Sequence, residues 1–204
     1  MVRRILSSVP CNPAVIDLLT INNYLNAAAC DEIVAALKSA SGGPATVYSR
    51  DELGGVDSRV RRATRLVVPP ETRERVVRQL WEGKSEIEEH FGIALNEPEE
   101  PHFLRYEVGD FFVAHQDGNT PLIVDQTRHR KISIVIFLNS QSNEPAPGTY
   151  GDGALVLHGP YSDLDFRQPI TPAPGALVAF RAETTHEVVP VTHGERYTIV
   201  SWYR

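Results

Sequence analysis

The chain has 204 residues, of which 42% are hydrophobic and 23% are charged, and its net charge at pH 7 is −6. These values are typical of one soluble globular domain with a sizeable core, and the acidic balance disfavours nucleic acid or an anionic membrane surface as the main partner. The two cysteines, Cys11 and Cys30, exclude a disulfide framework and a thiolate zinc site. We therefore expect a reducing, cytoplasmic setting.

Neither a targeting signal nor a membrane segment is predicted. The opening stretch MVRRILSSVPCNPAVIDLLTI starts with basic residues, but prolines and polar residues interrupt its apolar run. This pattern is unlike a secretory signal peptide. No apolar run elsewhere reaches the length of a membrane span.

Two amphipathic helices are predicted in the first half of the chain. Asn26 favours a helix N-cap, and apolar residues follow it at helical spacing. A second helix is predicted over PETRERVVRQLWEGKSEIEEHFG, ending at Gly92. The expected core positions of the two helices are Leu25, Ala29, Ile33, Val34 and Leu37, and Val76, Val77, Leu80, Trp81, Ile87 and Phe91.

The rest of the chain is predicted to form mainly β-strands. A short strand is predicted near Val47, and another over ATRLVVP, which Pro69 and Pro70 end. From about residue 102 the apolar pattern has a period of two, and Gly, Pro, Asn and Asp separate the segments. Many short strands of this kind predict a sandwich or a jelly-roll barrel, with the helices packed outside it. The strand candidates are residues 103–106, 111–115, 131–138, 154–157, 176–181, 186–189 and 196–203.

A candidate metal site lies at the end of the apolar stretch FLRYEVGDFFVAHQD. His115 and Asp117 are two positions apart, so an extended strand points both side chains to the same face. His186 is the best third ligand among the seven histidines, because it follows the strand and turn GALVAFRAETT. Two histidines and a carboxylate form the facial triad of non-haem Fe(II) oxygenases. The alternative for His115 and Asp117 is a solvated pair at a strand end.

Arg196 is a second polar group inside an apolar strand, GERYTIVSWYR. A buried guanidinium needs an anion, and a carboxylate can accept two parallel hydrogen bonds from it. The alternative is an internal salt bridge to Glu195 or Glu187. However, a strand that points Arg196 inward points Glu195 outward.

Four features in this order carry a family resemblance: YEVGDFFVAHQD, GALVLHG, His186, and Arg196 ten residues further on. Over about residues 102–204 the chain resembles the prolyl 4-hydroxylase-like branch of the Fe(II)/2-oxoglutarate dioxygenases, and INNYLNAAACDEIVAAL is similar to that family's helical opening. The resemblance implies a mainly β fold with flanking helices, built on a double-stranded β-helix (jelly-roll, cupin-like) core. It also implies a single domain over residues 1–204, with a mixed N-terminal part over 1–100 supporting the core over 101–204.

The resemblance implies roles for individual residues. His115, Asp117 and His186 would bind Fe(II), and Arg196 would bind the distal carboxylate of 2-oxoglutarate. Tyr106 matches a position whose hydroxyl helps to hold this co-substrate. The implied pocket walls are Leu155, Val188 and Trp202.

The implied reaction is hydroxylation of an unactivated C–H bond, with 2-oxoglutarate and O2 as co-substrates, succinate and CO2 as co-products, and ascorbate as a stimulant. Asp117 favours hydroxylation over halogenation, because related halogenases carry a small residue there. Phe137 stands where some relatives carry a second tyrosine, and Arg196 stands where collagen-type relatives carry lysine. A peptidyl proline, an amino acid or a small molecule fits as substrate, and the oligomeric state is open.

Two other functions stay open at this point. One is oxidative dealkylation of a modified nucleic acid, which the acidic balance and the lack of a basic, aromatic-rich groove disfavour. The other is a non-catalytic barrel that binds a metal or a small molecule, which an inward Arg196 disfavours.

The substrate side of the site is less defined. The loops over residues 118–130 and 140–153 could frame the entrance. In DSRVRRATRL, an extended strand points Arg59 and Arg61 to one face and Arg62 to the other. One interpretation is that Arg61 or Arg62 contacts an anionic group of the substrate. The favoured interpretation is that the arginines form a solvated face.

Overall fold

A computed structural model describes residues 16–47, 55–121, 123, 125–159 and 165–204. The predictions for Cys11 and for most of the opening stretch lie outside these residues. The elements in chain order are β1 (Leu18–Ile21), α1 (Ala27–Lys38), β2 (Gly42–Pro44), β3 (Arg61–Arg62), β4 (Thr64–Leu66), α2 (Pro70–Phe91), β5 (His102–Tyr106), β6 (Phe111–His115), a 3-10 helix (Gln126–His129), β7 (Ile132–Phe137), β8 (Tyr150–Asp152), β9 (Leu155–His158), β10 (Arg167–Ile170), β11 (Leu177–Arg181), β12 (His186–Val188), β13 (Val191–Gly194) and β14 (Arg196–Tyr203).

The strands form two large antiparallel sheets and one small one. The large sheets have the orders β1-β11-β7-β14-β5-β4-β2 and β10-β9-β12-β6-β3, and β13 pairs with β8. Inward side chains of both large sheets share apolar clusters, one of which joins Phe137 and Phe180 to Leu157. The predicted mainly β architecture with flanking helices is confirmed.

Both helices pack on the outer face of the seven-stranded sheet, where their apolar stripes meet strands β7, β11 and β14 in one core cluster. The Asn26 side chain caps α1 by accepting a hydrogen bond from the Ala29 N–H at 2.9 Å, as predicted. Gly92 ends α2 in the left-handed conformation, with φ of 63°, also as predicted. No helix in the described part of the chain is long and apolar enough to cross a membrane.

Trp81 was predicted in the core, and this prediction is wrong. Its relative exposure is 49%, whereas Leu80 beside it is fully buried. The buried stripe of α2 runs through Val76, Leu80, Ile87 and Phe91. Successive helix residues are turned by about 100°, so Trp81 lies at the edge of that stripe and faces solvent.

All seven strands predicted after residue 102 are present, as β5, β6, β7, β9, β11, β12 and β14. Strand β4 occupies the centre of ATRLVVP, as predicted. Near Val47 the prediction is only partly right, because Val47 forms a single bridge to Gly55 and the strand before it is β2. Strands β1, β8, β10 and β13 were not predicted.

Gly175 ties the sheet to the start of α1 and gives a stability prediction. Its φ is 82°, and a Cβ there would lie 2.0 Å from the Leu25 carbonyl oxygen. We expect Gly175→Ala to lower the free energy of unfolding by at least about 1 kcal/mol in urea titration, because both strain and a backbone clash oppose it. Gly43→Ala is the control, since nothing lies within 4 Å of its added Cβ; equal losses in both variants would contradict the prediction.

Candidate functional site

A cavity of about 290 Å³ lies between the two large sheets. Strands β5, β7 and β14 line it from one sheet, and β3, β6, β9 and β12 line it from the other. The structure brings all the site residues predicted from the sequence to this cavity: Tyr106, His115, Asp117, Leu155, His186, Val188, Arg196 and Trp202.

His115, Asp117 and His186 form a compact cluster in the cavity wall, with potential ligand atoms all within 4.8 Å of one another. Nε2 of His115 lies 3.5 Å from Asp117 Oδ1, and Nε2 of His186 lies 3.4 Å from Asp117 Oδ2. The two histidines face each other across the β6–β12 pair. Asp117 follows β6, where its N–H donates to the Ala182 carbonyl at 2.9 Å.

A register shift in the β6–β12 pair shapes the wall beside this cluster. His186 pairs with His115, but Val188 pairs with Phe112, so β6 has one more residue than β12 over this segment. Phe112 and His115, three positions apart, therefore stack with ring centroids 3.6 Å apart. The period-two pattern of the sequence gives no indication of this bulge.

Backbone carbonyls fix the orientation of both imidazoles. Nδ1 of His115 donates to the Val113 carbonyl at 2.8 Å, and Nδ1 of His186 donates to the Thr184 carbonyl at 2.9 Å. Each Nε2 is then the nitrogen whose lone pair faces Asp117. Burial, together with the charge of His115, lowers the pKa of His186 to about 4, so His186 is neutral at pH 7, as a metal ligand must be.

Asp117 is held as a carboxylate. Burial acts to raise its pKa, but His186, His115 and the Trp202 indole, which donates a hydrogen bond, together lower it well below its usual range. Ser133 also donates to Asp117 Oδ2, at 2.7 Å. Two imidazoles and one carboxylate suit a divalent transition metal such as Fe(II), so the residues present fit the metal implied by the sequence.

Ser133 was not identified from the sequence, and it gives a prediction. We expect Ser133→Ala to weaken divalent-metal binding by roughly 10- to 100-fold, because Asp117 loses the hydrogen bond that orients its carboxylate. Competition with a coloured chelator measures this. Ser142→Ala is the control, since the Ser142 hydroxyl bonds the Glu144 backbone within its own loop; unchanged metal affinity in Ser133→Ala would contradict the prediction.

Arg196 is a buried cation with no described acidic partner. Its relative exposure is 1%, its guanidinium lies 5.2 Å from the ring centroids of Tyr106 and Phe137, and its Nε has no hydrogen-bond partner. The alternative salt bridges are absent: Glu195 accepts from Tyr197 and pairs with Arg105, while Glu187 pairs with Arg167 and His158. The surroundings of Arg196 therefore leave room for an anion from outside the chain.

Thr198 is a second unpartnered group beside Arg196 that was not identified from the sequence. It is fully buried, it lines the cavity, and its hydroxyl oxygen has no hydrogen-bond partner. Every second residue of β14 from Arg196 to Trp202 lines the cavity. The period-two pattern already present in RYTIVSWY was thus a signal that could have found Thr198.

A largely buried ion pair packs against Trp202. Arg130 donates to Glu99 through Nε at 3.1 Å and through Nη2 at 2.7 Å, and its guanidinium lies 3.6 Å from the Trp202 ring centroid. Burial acts to raise the pKa of Glu99, but Arg130 and Arg204 outweigh it and lower the pKa. The pair was not predicted, because its members lie 31 residues apart in loops.

The two loops and the arginine stretch differ in their relation to the cavity. From the loop over residues 118–130, the lining includes Ile123, Asp125, Thr127 and Arg130; no described residue of 140–153 lines it. Arg61 lines the cavity. Arg62 does not, since it donates to the Gly109 carbonyl and stacks on Phe111. The favoured interpretation of a wholly solvated face is therefore wrong for Arg61.

Sequence comparison places the C-terminal half of the chain in a known group. Residues 101–204 match a profile described as the 2OG-Fe(II) oxygenase superfamily. A PKHD-type hydroxylase of Paracoccus denitrificans is 30% identical over 191 residues, which cover 91% of this chain and 77% of that protein. A PKHD-type hydroxylase of Synechococcus is 34% identical over 97 residues, 48% of this chain and 39% of its own length.

Solved structures share the fold at low sequence identity. A Pseudomonas putida prolyl-4-hydroxylase has a TM-score of 0.67 and 22% identity, with 93% of this chain and 92% of that chain covered. A Trichoplax adhaerens prolyl hydroxylase in complex with a hypoxia inducible factor peptide fragment has a TM-score of 0.68 and 17% identity, covering 92% and 83%. These likenesses confirm the predicted jelly-roll fold.

Proposed function

The chain belongs to the 2-oxoglutarate/Fe(II) oxygenase superfamily, in its prolyl 4-hydroxylase-like branch, and we propose that it hydroxylates an unactivated C–H bond of a peptidyl proline, an amino acid or a small molecule. Membership of this family implies Fe(II), 2-oxoglutarate and O2. We propose that residues 1–204 form one catalytic domain and that its reaction releases succinate and CO2.

The observation that carries the proposal is the cluster of His115, Asp117 and His186, which we propose as the Fe(II) ligands. Their orientation is fixed by hydrogen bonds with Val113, Thr184 and Ser133. Bound iron supplies the activation of O2, coupled to oxidative decarboxylation of 2-oxoglutarate. The three side chains would hold the metal from one side, and the cavity would admit the co-substrate and O2. The retained carboxylate of Asp117 favours hydroxylation over halogenation.

Arg196 is proposed to bind the distal carboxylate of 2-oxoglutarate. Its buried, unpaired guanidinium and the unpartnered Thr198 hydroxyl are two donors on one face of β14, which suits a carboxylate. Tyr106 pairs with Arg196 across β5 and β14 and lines the same cavity, so its hydroxyl is proposed as a further donor.

Apolar walls complete the proposed site. Leu155, Val188 and Trp202 all line the cavity and are each less than 9% exposed. Such walls exclude water, which strengthens the electrostatic contacts inside and protects reactive species from side reactions. We extend the proposal to ascorbate, a reductant that would keep the bound metal in the Fe(II) state and so increase the number of turnovers per chain.

The substrate classes are supported unequally. The relatives of Paracoccus and Synechococcus are named hydroxylases, and the Trichoplax neighbour holds a peptide fragment. These names favour an amino-acid or peptide substrate over other small molecules. No nucleic acid or membrane partner is proposed.

Isotope labelling tests the proposed reaction. Candidate substrates are incubated with the full chain, Fe(II), 2-oxoglutarate and ¹⁸O2, and the products are analysed by mass spectrometry. We expect one labelled oxygen atom in the hydroxylated product and one in succinate. Product oxygen derived from water, or 2-oxoglutarate left unconsumed in the presence of every candidate, would contradict the proposal.

A further inference from the structure

Arg61 lies close to the proposed metal ligands but in a different sheet from Arg196. It pairs with Phe112 across β3 and β6, and its guanidinium carbon lies 4.5 Å from the Phe112 ring centroid. Phe112 in turn stacks on His115 at 3.6 Å. One aromatic ring therefore separates the Arg61 guanidinium from the His115 imidazole, and the cavity contains two separate cationic positions.

Arg61 has unused hydrogen-bonding capacity. Its Nη1 donates to the Thr46 carbonyl at 3.2 Å, but its Nε is buried and has no hydrogen-bond partner among the described residues. No described carboxylate forms an ion pair with it, whereas the exposed Arg59 pairs with Asp57 at 2.9 Å. A partly buried guanidinium with an unpaired N–H is costly unless an anion satisfies it.

The other ionisable groups on this side of the cavity have partners of their own or are neutral. Arg130 is neutralised by Glu99, and Asp125 Oδ1 accepts from both the N–H and the hydroxyl of Thr127. His102, which also lines the cavity, is neutral: burial, followed by the charges of Arg65, Arg61 and Arg130, lowers its pKa to about 3. Arg61 is thus the cavity-lining cation on this side that lacks a described acidic partner.

We propose that Arg61 binds a carboxylate of the primary substrate, so that the substrate is an amino acid or a peptide whose carboxylate lies a few bonds from the hydroxylated carbon. The stack of Arg61 on Phe112 and of Phe112 on His115 sets this short spacing. The inference rests on the proposed function and adds to it the charge of the substrate and the residue that selects it. Arg61 is a specificity-determining residue, distinct from the arginine assigned to 2-oxoglutarate.

Matched acid and amide probes test this inference. The N-acetylated L-amino acids and their primary amides are titrated by calorimetry into the full chain, loaded anaerobically with Fe(II) and 2-oxoglutarate so that the Arg196 position is filled. We expect at least one acid to bind roughly 10- to 100-fold more tightly than its amide, because the acid gains a charge-assisted, bidentate contact. Inorganic phosphate is titrated as a third probe.

Substitutions of Arg61 and Arg59 test whether the preference for the acid over the amide depends on the Arg61 side chain. We expect Arg61→Gln to abolish the preference for the acid, Arg61→Lys to keep part of it, and Arg59→Gln to keep all of it. Binding of no acid, equal binding of acid and amide, tighter binding of phosphate, or an acid preference retained in Arg61→Gln would each overturn the inference.

A separate readout distinguishes failure of this inference from failure of the proposed function. The visible absorption of the anaerobic Fe(II)–2-oxoglutarate chelate reports the proposed function alone, and we expect it to be unchanged in Arg61→Gln. If that absorption is present but no acid preference exists, only the substrate inference fails. If it is absent in the wild-type chain, the proposed function fails as well.

Discussion

Replacing Arg196 with methionine is expected to weaken 2-oxoglutarate binding by roughly 100-fold while raising the free energy of unfolding of the ligand-free protein by about 1 kcal/mol or more. The two effects have one cause. Arg196 is 1% exposed and has no described acidic partner, so the ligand-free chain carries an unpaired buried charge. Methionine removes that cost and also removes the anchor for the distal carboxylate.

Anaerobic calorimetry with 2-oxoglutarate and urea titration of the ligand-free chain measure the two effects of Arg196→Met. Arg196→Lys is the matched variant: it keeps a charge but loses the planar fork, so we expect intermediate affinity. A structural role for Arg196 predicts the opposite pattern. A fall in stability with unchanged 2-oxoglutarate affinity would therefore contradict the assignment.

Replacing His186 with alanine is expected to weaken Fe(II) binding by roughly 100- to 1000-fold and to abolish 2-oxoglutarate turnover. A closed four-ligand zinc site stabilises the folded chain by about 10–16 kcal/mol, so one ligand accounts for about 2.5–4 kcal/mol. His186 is 5% exposed, and its Nε2 faces Asp117 at 3.4 Å. Its removal leaves only two of the three proposed ligands.

Chelator competition under nitrogen measures the Fe(II) affinity of His186→Ala, and circular dichroism verifies its fold. His129→Ala is the control, because His129 lies in the 3-10 helix, does not line the cavity, and its imidazole accepts a hydrogen bond from the neighbouring Arg128. If His186→Ala is folded and binds Fe(II) as tightly as the wild type, His186 is not a ligand. A different third ligand would then have to be found.

The placement of the proposed ligands in one cavity could be predicted from the sequence because it depends on local rules. Asp117 follows His115 by two residues at a strand end, and His186 opens another apolar strand. The period-two alternation of β14 likewise predicted that Arg196 points into the barrel and Glu195 points away from it. The contacts of Glu195 with Tyr197 and Arg105 agree with this prediction. In each case a residue's direction follows from its own strand.

The groups that hold those residues could not be found in the same way. Ser133 contacts Asp117 across 16 residues of chain, and Arg130 contacts Glu99 across 31. These pairings depend on how strands and loops meet in space, which single-strand periodicity does not encode. The bulge that stacks Phe112 on His115 is a similar case, because it exists only in the pairing of β6 with β12.

Most of the missed strands have short or polar sequences, although β1, which reads LLTI, is apolar. Strands β8, β10 and β13 read YGD, RQPI and VTHG, without the apolar alternation that marks a half-buried strand. Their strand conformation comes from pairing: β10 extends the five-stranded sheet beside β9, and β13 pairs with β8. Tertiary context therefore decides these segments, as it does for the exposed Trp81.

The most direct test of the central claim is the visible spectrum of the chain with Fe(II) and 2-oxoglutarate under nitrogen. If His115, Asp117 and His186 bind the metal and Arg196 binds the co-substrate, a weak charge-transfer band will appear when 2-oxoglutarate is added to the Fe(II)-loaded wild type. The band will be lost in His186→Ala and weakened in Arg196→Met at limiting 2-oxoglutarate. A folded wild-type chain that gives no band at saturating Fe(II) and 2-oxoglutarate would contradict the account.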